Sequence, residues 1–94
     1  MNSAHEGILL LLFVAGDAPR TTIAVENLRR ALAEFLDRKF QLEIVDVFED
    51  AGRAIADRVL VTPTLLAPGS SRRLVGDLSE TSQLHYFLQT VGGP

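Results

Sequence analysis

Ile8-Leu9-Leu10-Leu11-Leu12-Phe13-Val14, followed at once by Ala15-Gly16-Asp17-Ala18-Pro19, decides the class of fold. The apolar run is seven residues long and stops on turn-forming residues. A short continuous run with such a stop reads as a strand buried on both faces, the kind found in a parallel sheet. Leucine alone would suit a helix as well, but the length and the sharp stop favour a strand. A membrane span needs roughly 20 apolar residues, so this segment is far too short for one. Met1 to Gly7 carries no Lys or Arg, so the basic flank of a secretory signal is missing. The expectation is a cytoplasmic protein with an N-terminal tail over residues 1–7.

Outward from that strand the hydrophobic period changes. From about Thr21 to Asp37, Val25, Leu28, Leu32 and Phe35 recur at three- and four-residue steps among charged residues, which predicts an amphipathic helix of about four turns. Thr21 or Thr22 is its expected cap, and Arg38-Lys39 would face its carbonyl end. Leu42 to Phe48 is β-branched and apolar enough for a second strand. Glu49-Asp50 then offers a cap for a short helix over Ala51 to Asp57. Val59 to Leu66 is strand-like but interrupted by Pro63, which has no N–H for a ladder. Ala67-Pro68-Gly69-Ser70 is a turn, Arg72 to Val75 a further strand, and Ser79 the expected cap of a last helix. That helix carries Leu84, Phe87, Leu88 and Val91 on one face and stops at Gly92-Gly93.

The order βαβαββα therefore predicts one α/β domain over residues 1–94. A first βαβ unit implies parallel neighbours joined by a right-handed crossover. The Pro-Gly turn makes the third and fourth strands a hairpin. One mixed sheet flanked by helices closes these elements, and that is the thioredoxin-like arrangement.

Composition narrows the chemistry. With 94 residues, 47% hydrophobic and 22% charged, the chain suits a single globular domain. Nine Lys and Arg against 12 Asp and Glu give a net charge of -3, opposite to the concentrated basic surface of a nucleic-acid binder. There is no cysteine, which removes disulfide reduction, thiolate catalysis and cysteine–metal sites together. Where a redox thioredoxin would place its cysteine pair, this chain has Gly16-Asp17-Ala18-Pro19. Asp46, inside an apolar strand, is either a buried acid or a hydrogen-bonded strand-end residue, and no second acid stands in a catalytic spacing to it. His5 and His85 are too isolated to make a metal site. No catalytic residue, cofactor or metal is expected.

Three segments carry a family resemblance: Phe13 to Pro19, Val45-Asp46-Val47, and Leu60-Val61-Thr62-Pro63-Thr64-Leu65 followed by Arg72 to Leu78. Together they resemble the KaiB family over roughly residues 8 to 88. The resemblance implies a non-enzymatic clock regulator that binds the N-terminal ATPase lobe of the ring ATPase KaiC and modulates its phosphorylation cycle. It further implies competition with the KaiB-like sensory domain of the kinase SasA and, in some systems, KaiA as a partner. Members populate two folds, a tetrameric ground state and a monomeric thioredoxin-like state. The first half is βαβ in both, and the second half is rebuilt.

Arg58 stands where the family has a lysine in its KaiC-contacting region, and Arg53, Arg72 and Arg73 join it as candidates for a positive patch. Thr62-Pro63-Thr64 reads either as a slow conformational element or as a strand-entry proline with a shape role only. Glu43 replaces a lysine that often faces KaiA, a charge reversal that counts against KaiA binding. The loop before Arg72 is about two residues shorter than in typical clock members, and no acidic tail follows Pro94. Local preferences in the second half favour the thioredoxin-like state. The alternative reading is a thioredoxin-like adaptor or stress-response module with another partner, or a sensory domain detached from a SasA-type kinase.

Overall fold

The computed structural model describes residues 7–35 and 37–91. The expected tail, apart from Gly7, the Gly92-Gly93 stop and His5 lie outside them. The elements run β1 (Ile8–Val14), α1 (Pro19–Leu32), β2 (Phe40–Asp46), α2 (Ala51–Ala56), β3 (Thr64–Leu66), β4 (Arg73–Val75) and α3 (Thr81–Thr90). This is the expected βαβαββα order. The sheet runs β2-β1-β3-β4, with β1 parallel to β2 and antiparallel to β3, and β3 antiparallel to β4.

β1 is buried on both sides, as its sequence requires. Leu10, Leu12 and Val14 point to one face, where they pack with Ala24 and Leu28 of α1 and Leu84, Phe87 and Leu88 of α3. Leu11 and Phe13 point to the other, where they meet Val45, Leu66 and Ala54 of α2. The two faces differ in depth. The first is covered by two helices and the second by one short helix that contributes a single buried residue, Ala54.

Several boundaries depart from expectation for local reasons. α1 starts at Pro19 rather than at Thr21 or Thr22, because proline's fixed φ and missing N–H suit the first helical position. It ends at Leu32, short of Asp37. Its buried line is Ala24, Leu28 and Ala31, with Val25, Leu32 and Phe35 packed at the margin. β2 begins two residues earlier than expected, at Phe40, since Ile8 pairs with Phe40 and Leu10 with Leu42. β3 covers only Thr64–Leu66. Val59 to Val61 does not pair, and Leu60 is left 92% exposed. Glu80, not Ser79, occupies the N-cap of α3, while the Ser79 N–H is drawn to the Asp77 carboxylate at 3.1 Å. Asp50 caps α2 as expected, accepting from the Arg53 N–H at 3.3 Å. The turn before β4 closes with the Ser70 N–H on the Ala67 carbonyl at 3.1 Å, and Gly69 supplies its φ of +85°.

Arg38 does not cap α1. Its guanidinium reaches across to the end of α3 and donates to the carbonyls of Leu88 (2.9 Å), Gln89 (2.7 Å) and Val91 (2.8 Å). These are carbonyls that a helix end leaves without partners. The same guanidinium lies over the Phe40 ring, 5.6 Å from its centroid. One side chain from the first half thus fastens the last helix. Hydrogen bonds to charged groups contribute about 1.5–3 kcal/mol, so Arg38→Ala should lower stability in urea titration by an amount in that range. Arg38→Lys should recover only part of it, because an ammonium cannot fork between three carbonyls. A loss below about 0.5 kcal/mol, the size of an ordinary surface substitution, would show that the guanidinium contributes nothing to α3.

Candidate functional site

The site is built around the end of α2. This helix ends in a complete Schellman arrangement: the Val59 N–H donates to the Ala54 carbonyl at 2.8 Å and the Arg58 N–H to the Ile55 carbonyl at 3.1 Å. The motif forces its residue after the cap into the left-handed region. Glycine is usual there, but this chain has Arg58 at φ +57°. That conformation costs a side-chain-bearing residue about 1–2 kcal/mol. One other non-glycine among the described residues, Leu78 at φ +63°, shares this conformation. Leu78 is buried in the core, and burying a leucine contributes about 1.5–3 kcal/mol, enough to offset the strain. Arg58 is exposed and has no such compensation.

The chain on either side of Arg58 leaves apolar residues uncovered: Ile55 is 77% exposed, Leu60 92% and Val61 51%. Phe48, in the loop before α2, is 76% exposed. Phe48 is set by Asp46, the last residue of β2. One Asp46 carboxylate oxygen accepts from the Gly16 N–H at 3.0 Å and the Phe48 N–H at 2.9 Å. Asp46 is therefore the hydrogen-bonded strand-end residue of the two readings. It ties the loop after β1 to the loop before α2.

The four candidate arginines do not form one patch. Arg53 makes a two-pronged ion pair with Glu43 across α2 and β2, its second contact at 3.3 Å. Glu43, read as a reversal at a partner-facing position, has an intramolecular partner instead. The Arg53 guanidinium bonded to it holds the Glu43 carboxyl below the usual carboxylate range. Arg73 donates from β4 to the carbonyls of Arg58 (3.2 Å) and Asp57 (3.0 Å), so it clamps the other end of α2. Arg72 points away from α2. It donates to the Thr90 hydroxyl at 2.8 Å and stacks over Tyr86 at 5.3 Å from the ring centroid. Of the four, only Arg58 makes no side-chain hydrogen bond or ion pair among the described residues.

Thr62-Pro63-Thr64 enters β3 beside this surface. The Thr62-Pro63 bond is cis and Pro63 is buried. The Pro63 carbonyl accepts from the Gly76 N–H at 2.9 Å, and the Thr64 hydroxyl donates to the Val61 carbonyl at 2.7 Å. The segment is pinned at both ends. No group of three or more His, Cys, Asp or Glu able to hold a metal occurs among the described residues, and no helix there is long and apolar enough to cross a membrane.

The apolar part of the site went unread in the sequence. Leu60-Val61 is strand-like in sequence, and Pro63 two residues later is the sign that pairing starts only beyond it. Ile55 sat in a helix too short to show which face it presents.

Comparison with known proteins places this geometry. Residues 11–90 match the family model described as the KaiB domain. The chain belongs to the KaiB family. It is 35% identical over 86 residues to the circadian clock protein KaiB3 of Synechocystis sp. strain PCC 6803, covering 89% of this chain and 84% of that one. It is 33% identical to the circadian clock oscillator protein KaiB of Nostoc sp. strain PCC 7120, covering 89% and 80%. Among solved structures, the N-terminal domain of Synechococcus elongatus SasA superposes with a TM-score of 0.77 at 27% identity, over 96% of this chain and 87% of that one. The Drosophila melanogaster thioredoxin Deadhead matches with a TM-score of 0.71 at 15% identity, over 94% and 84% of the two chains. It shares the fold. The chain is thus a thioredoxin-like member of a clock-protein family.

Two outcomes follow from the α2 geometry. Arg58→Gly should leave the fold intact and raise stability in thermal melts by up to about 1 kcal/mol, since glycine takes the left-handed position without the side-chain penalty. Arg58→Val should destabilise, and a gain with valine would contradict the strain assigned to this position. The second outcome concerns acid. Glu43 has a folded pKa below its unfolded one, so its contribution is present above the ordinary carboxylate pKa and fades as pH falls through the lowered value. Amide exchange compared between pH 5 and pH 3, with Glu43→Gln as control, should show α2 losing protection relative to α1. Equal losses in wild type and Glu43→Gln would remove the pair from the account.

Proposed function

We propose that this KaiB-family chain is a non-enzymatic, cytoplasmic timing regulator. Acting as one domain over residues 1–94, it binds the N-terminal ATPase lobe of a KaiC-type ring ATPase and modulates that ring's phosphorylation cycle. The observation that carries this reading is the strained, exposed Arg58, flanked in the chain by the exposed apolar residues Ile55, Leu60 and Val61. Strain persists where the surroundings over-determine a conformation, and it concentrates at sites with work to do. A cation with exposed apolar residues beside it in the chain suits a partner surface with an acidic residue among apolar ones, where charge steers the encounter and burial slows release.

Fold switching belongs to the same proposal. The core under α1 and α3 draws its buried residues from both halves, whereas α2 is fastened to the sheet by arginine clamps and one buried alanine, so the α2 segment is where rebuilding can begin. A homotetramer would be the form of the rebuilt state. Binding to KaiA at the β2 edge is not part of the proposal, because Glu43 is engaged by Arg53.

The likeness to the SasA N-terminal domain favours a second reading. In it the chain acts as a free-standing sensory domain that competes with a SasA-type kinase for the same ring.

Capture on a KaiC-type ring, with and without ATP, tests the proposal. Arg58→Glu should weaken binding about tenfold or more, with the larger effect on association. Arg58→Gly should weaken it too while leaving stability equal or higher. Undiminished binding by both variants would remove Arg58 from the interface. The protein should show no insulin reduction, and measurable activity free of thioredoxin contamination would contradict the non-enzymatic assignment.

A further inference from the structure

The sheet has two outer strands, and the one opposite β2 is open. β4 pairs with β3 alone, in the register Thr64 with Val75, Leu65 with Leu74 and Leu66 with Arg73. The Gly76 N–H bonds the Pro63 carbonyl at 2.9 Å, so Pro63–Gly76 and, two residues along, Leu65–Leu74 are the hydrogen-bonded pairs of this ladder. The N–H and C=O groups of Arg73 and Val75 therefore point outward, away from β3. They form a short template onto which another extended chain can pair.

A groove runs along this edge on the α3 side. It holds about 610 Å³ and is lined by residues 71–74 of the edge and by Ser82, Gln83, Tyr86 and Phe87 of α3. Leu74 and Phe87 give it apolar walls. Tyr86, 59% exposed, flanks it. Its lining includes Arg72 and Arg73 and no anion, although the whole chain has more acids than bases. The Arg73 guanidinium turns to the Asp57 and Arg58 carbonyls, so Arg72 supplies the groove's positive charge. The adjoining cavity below the Pro68-Gly69 turn is also lined by Arg72 and contains no anion. Arg72 is held in place by Thr90 and Tyr86 with its charge unpaired, so the positive field at the groove is fixed.

Charge decides the occupant. A second copy pairing β4 to β4 would bring Arg73 and Arg72 against their own equivalents, and like charges on paired strands are destabilising. We propose that the β4 edge and the β4–α3 groove receive an extended acidic peptide segment of another protein by strand addition. Main-chain bonds to Arg73 and Val75 give affinity. A side chain opposite Leu74 enters the groove, and a carboxylate answers Arg72. This surface touches the Arg58 segment through Arg73, which bonds the Arg58 carbonyl, but the proposal does not depend on ring binding.

The test uses the full chain and a synthetic probe, a capped peptide of alternating Glu and Val, with a Lys-and-Val peptide of the same length as its counterpart. The expected result is binding of the acidic peptide alone, weakened by salt, with amide exchange at Arg73 and Val75 slowed at least tenfold on binding. Val75→Pro removes an outward N–H without touching the β3 ladder, so it should abolish that binding while leaving the β1 to β3 amides unchanged. Arg72→Glu should weaken binding of the acidic peptide at least fivefold. Equal binding of both peptides would overturn the proposal. So would shifts confined to Ile55, Arg58 and Leu60, unimpaired binding by Val75→Pro, or self-association through β4 in place of peptide binding.

Discussion

β1 is buried on both faces, and the rest of the structure depends on that constraint. A strand with Leu10, Leu12 and Val14 on one side and Leu11 and Phe13 on the other cannot lie at a sheet edge or under a single layer. It needs a strand on each side and helices above and below. The right-handed crossover through α1 puts that helix on the Leu10 face and β2 alongside in parallel. Only the opposite side of β1 is then free for β3, and the hairpin carries β4 to the edge. α3 returns beside α1, and α2 is left as the cover for Leu11 and Phe13.

That division makes the two halves of the molecule physically unlike. On the α1–α3 face, adhesion is apolar and extensive, and Arg38 adds a polar fastening at the end of α3. On the α2 face the helix is six residues long, too short to be stable alone, and Ala54 gives it little buried area. Arginines at the two ends of α2 compensate: Arg53 pairs to Glu43 on one strand, and Arg73 reaches from another to the carbonyls of Asp57 and Arg58. A short helix pinned at its ends leaves neighbouring apolar residues uncovered, which is why Phe48, Ile55 and Leu60 reach solvent. The thin cover and the exposed patch have one cause.

The element order was legible because each element carried a distinct signal. The apolar run of β1, the 3.6-residue period of α1 and the Pro-Gly turn before β4 each pointed one way. Boundaries were less legible where tertiary pairing outweighed local preference. β2 slid to Phe40 to match Ile8, and Val59 to Val61, β-branched enough for a strand, found no neighbour to pair with. In the site, Arg58 was legible only through family likeness. The separation of Arg53, Arg72 and Arg73 was not, because sequence shows a charge but not the carbonyl or carboxylate it will meet. Arg38 is the clearest instance. Nothing local links it to Leu88, 50 residues away, and only the folded chain brings them together.

The same reasoning separates the arginines by role. A guanidinium that satisfies a helix end, a carboxylate or a hydroxyl is already engaged, and its loss is felt first as lost structure. Arg38, Arg53 and Arg73 are of this kind. Arg72 is held by Thr90 and Tyr86 but keeps its charge unpaired beside the β4 groove. Arg58 differs from all of them, because its backbone is fixed by hydrogen bonds that glycine would make equally well, while its side chain adds strain and makes no hydrogen bond or ion pair among the described residues. Leu78 accepts the same backbone conformation and is compensated by burial in the core. At Arg58 the strain is opposed by backbone bonds alone, its N–H on the Ile55 carbonyl and its carbonyl held by Arg73, so the side chain itself is left exposed beside Ile55 and Leu60 in the chain.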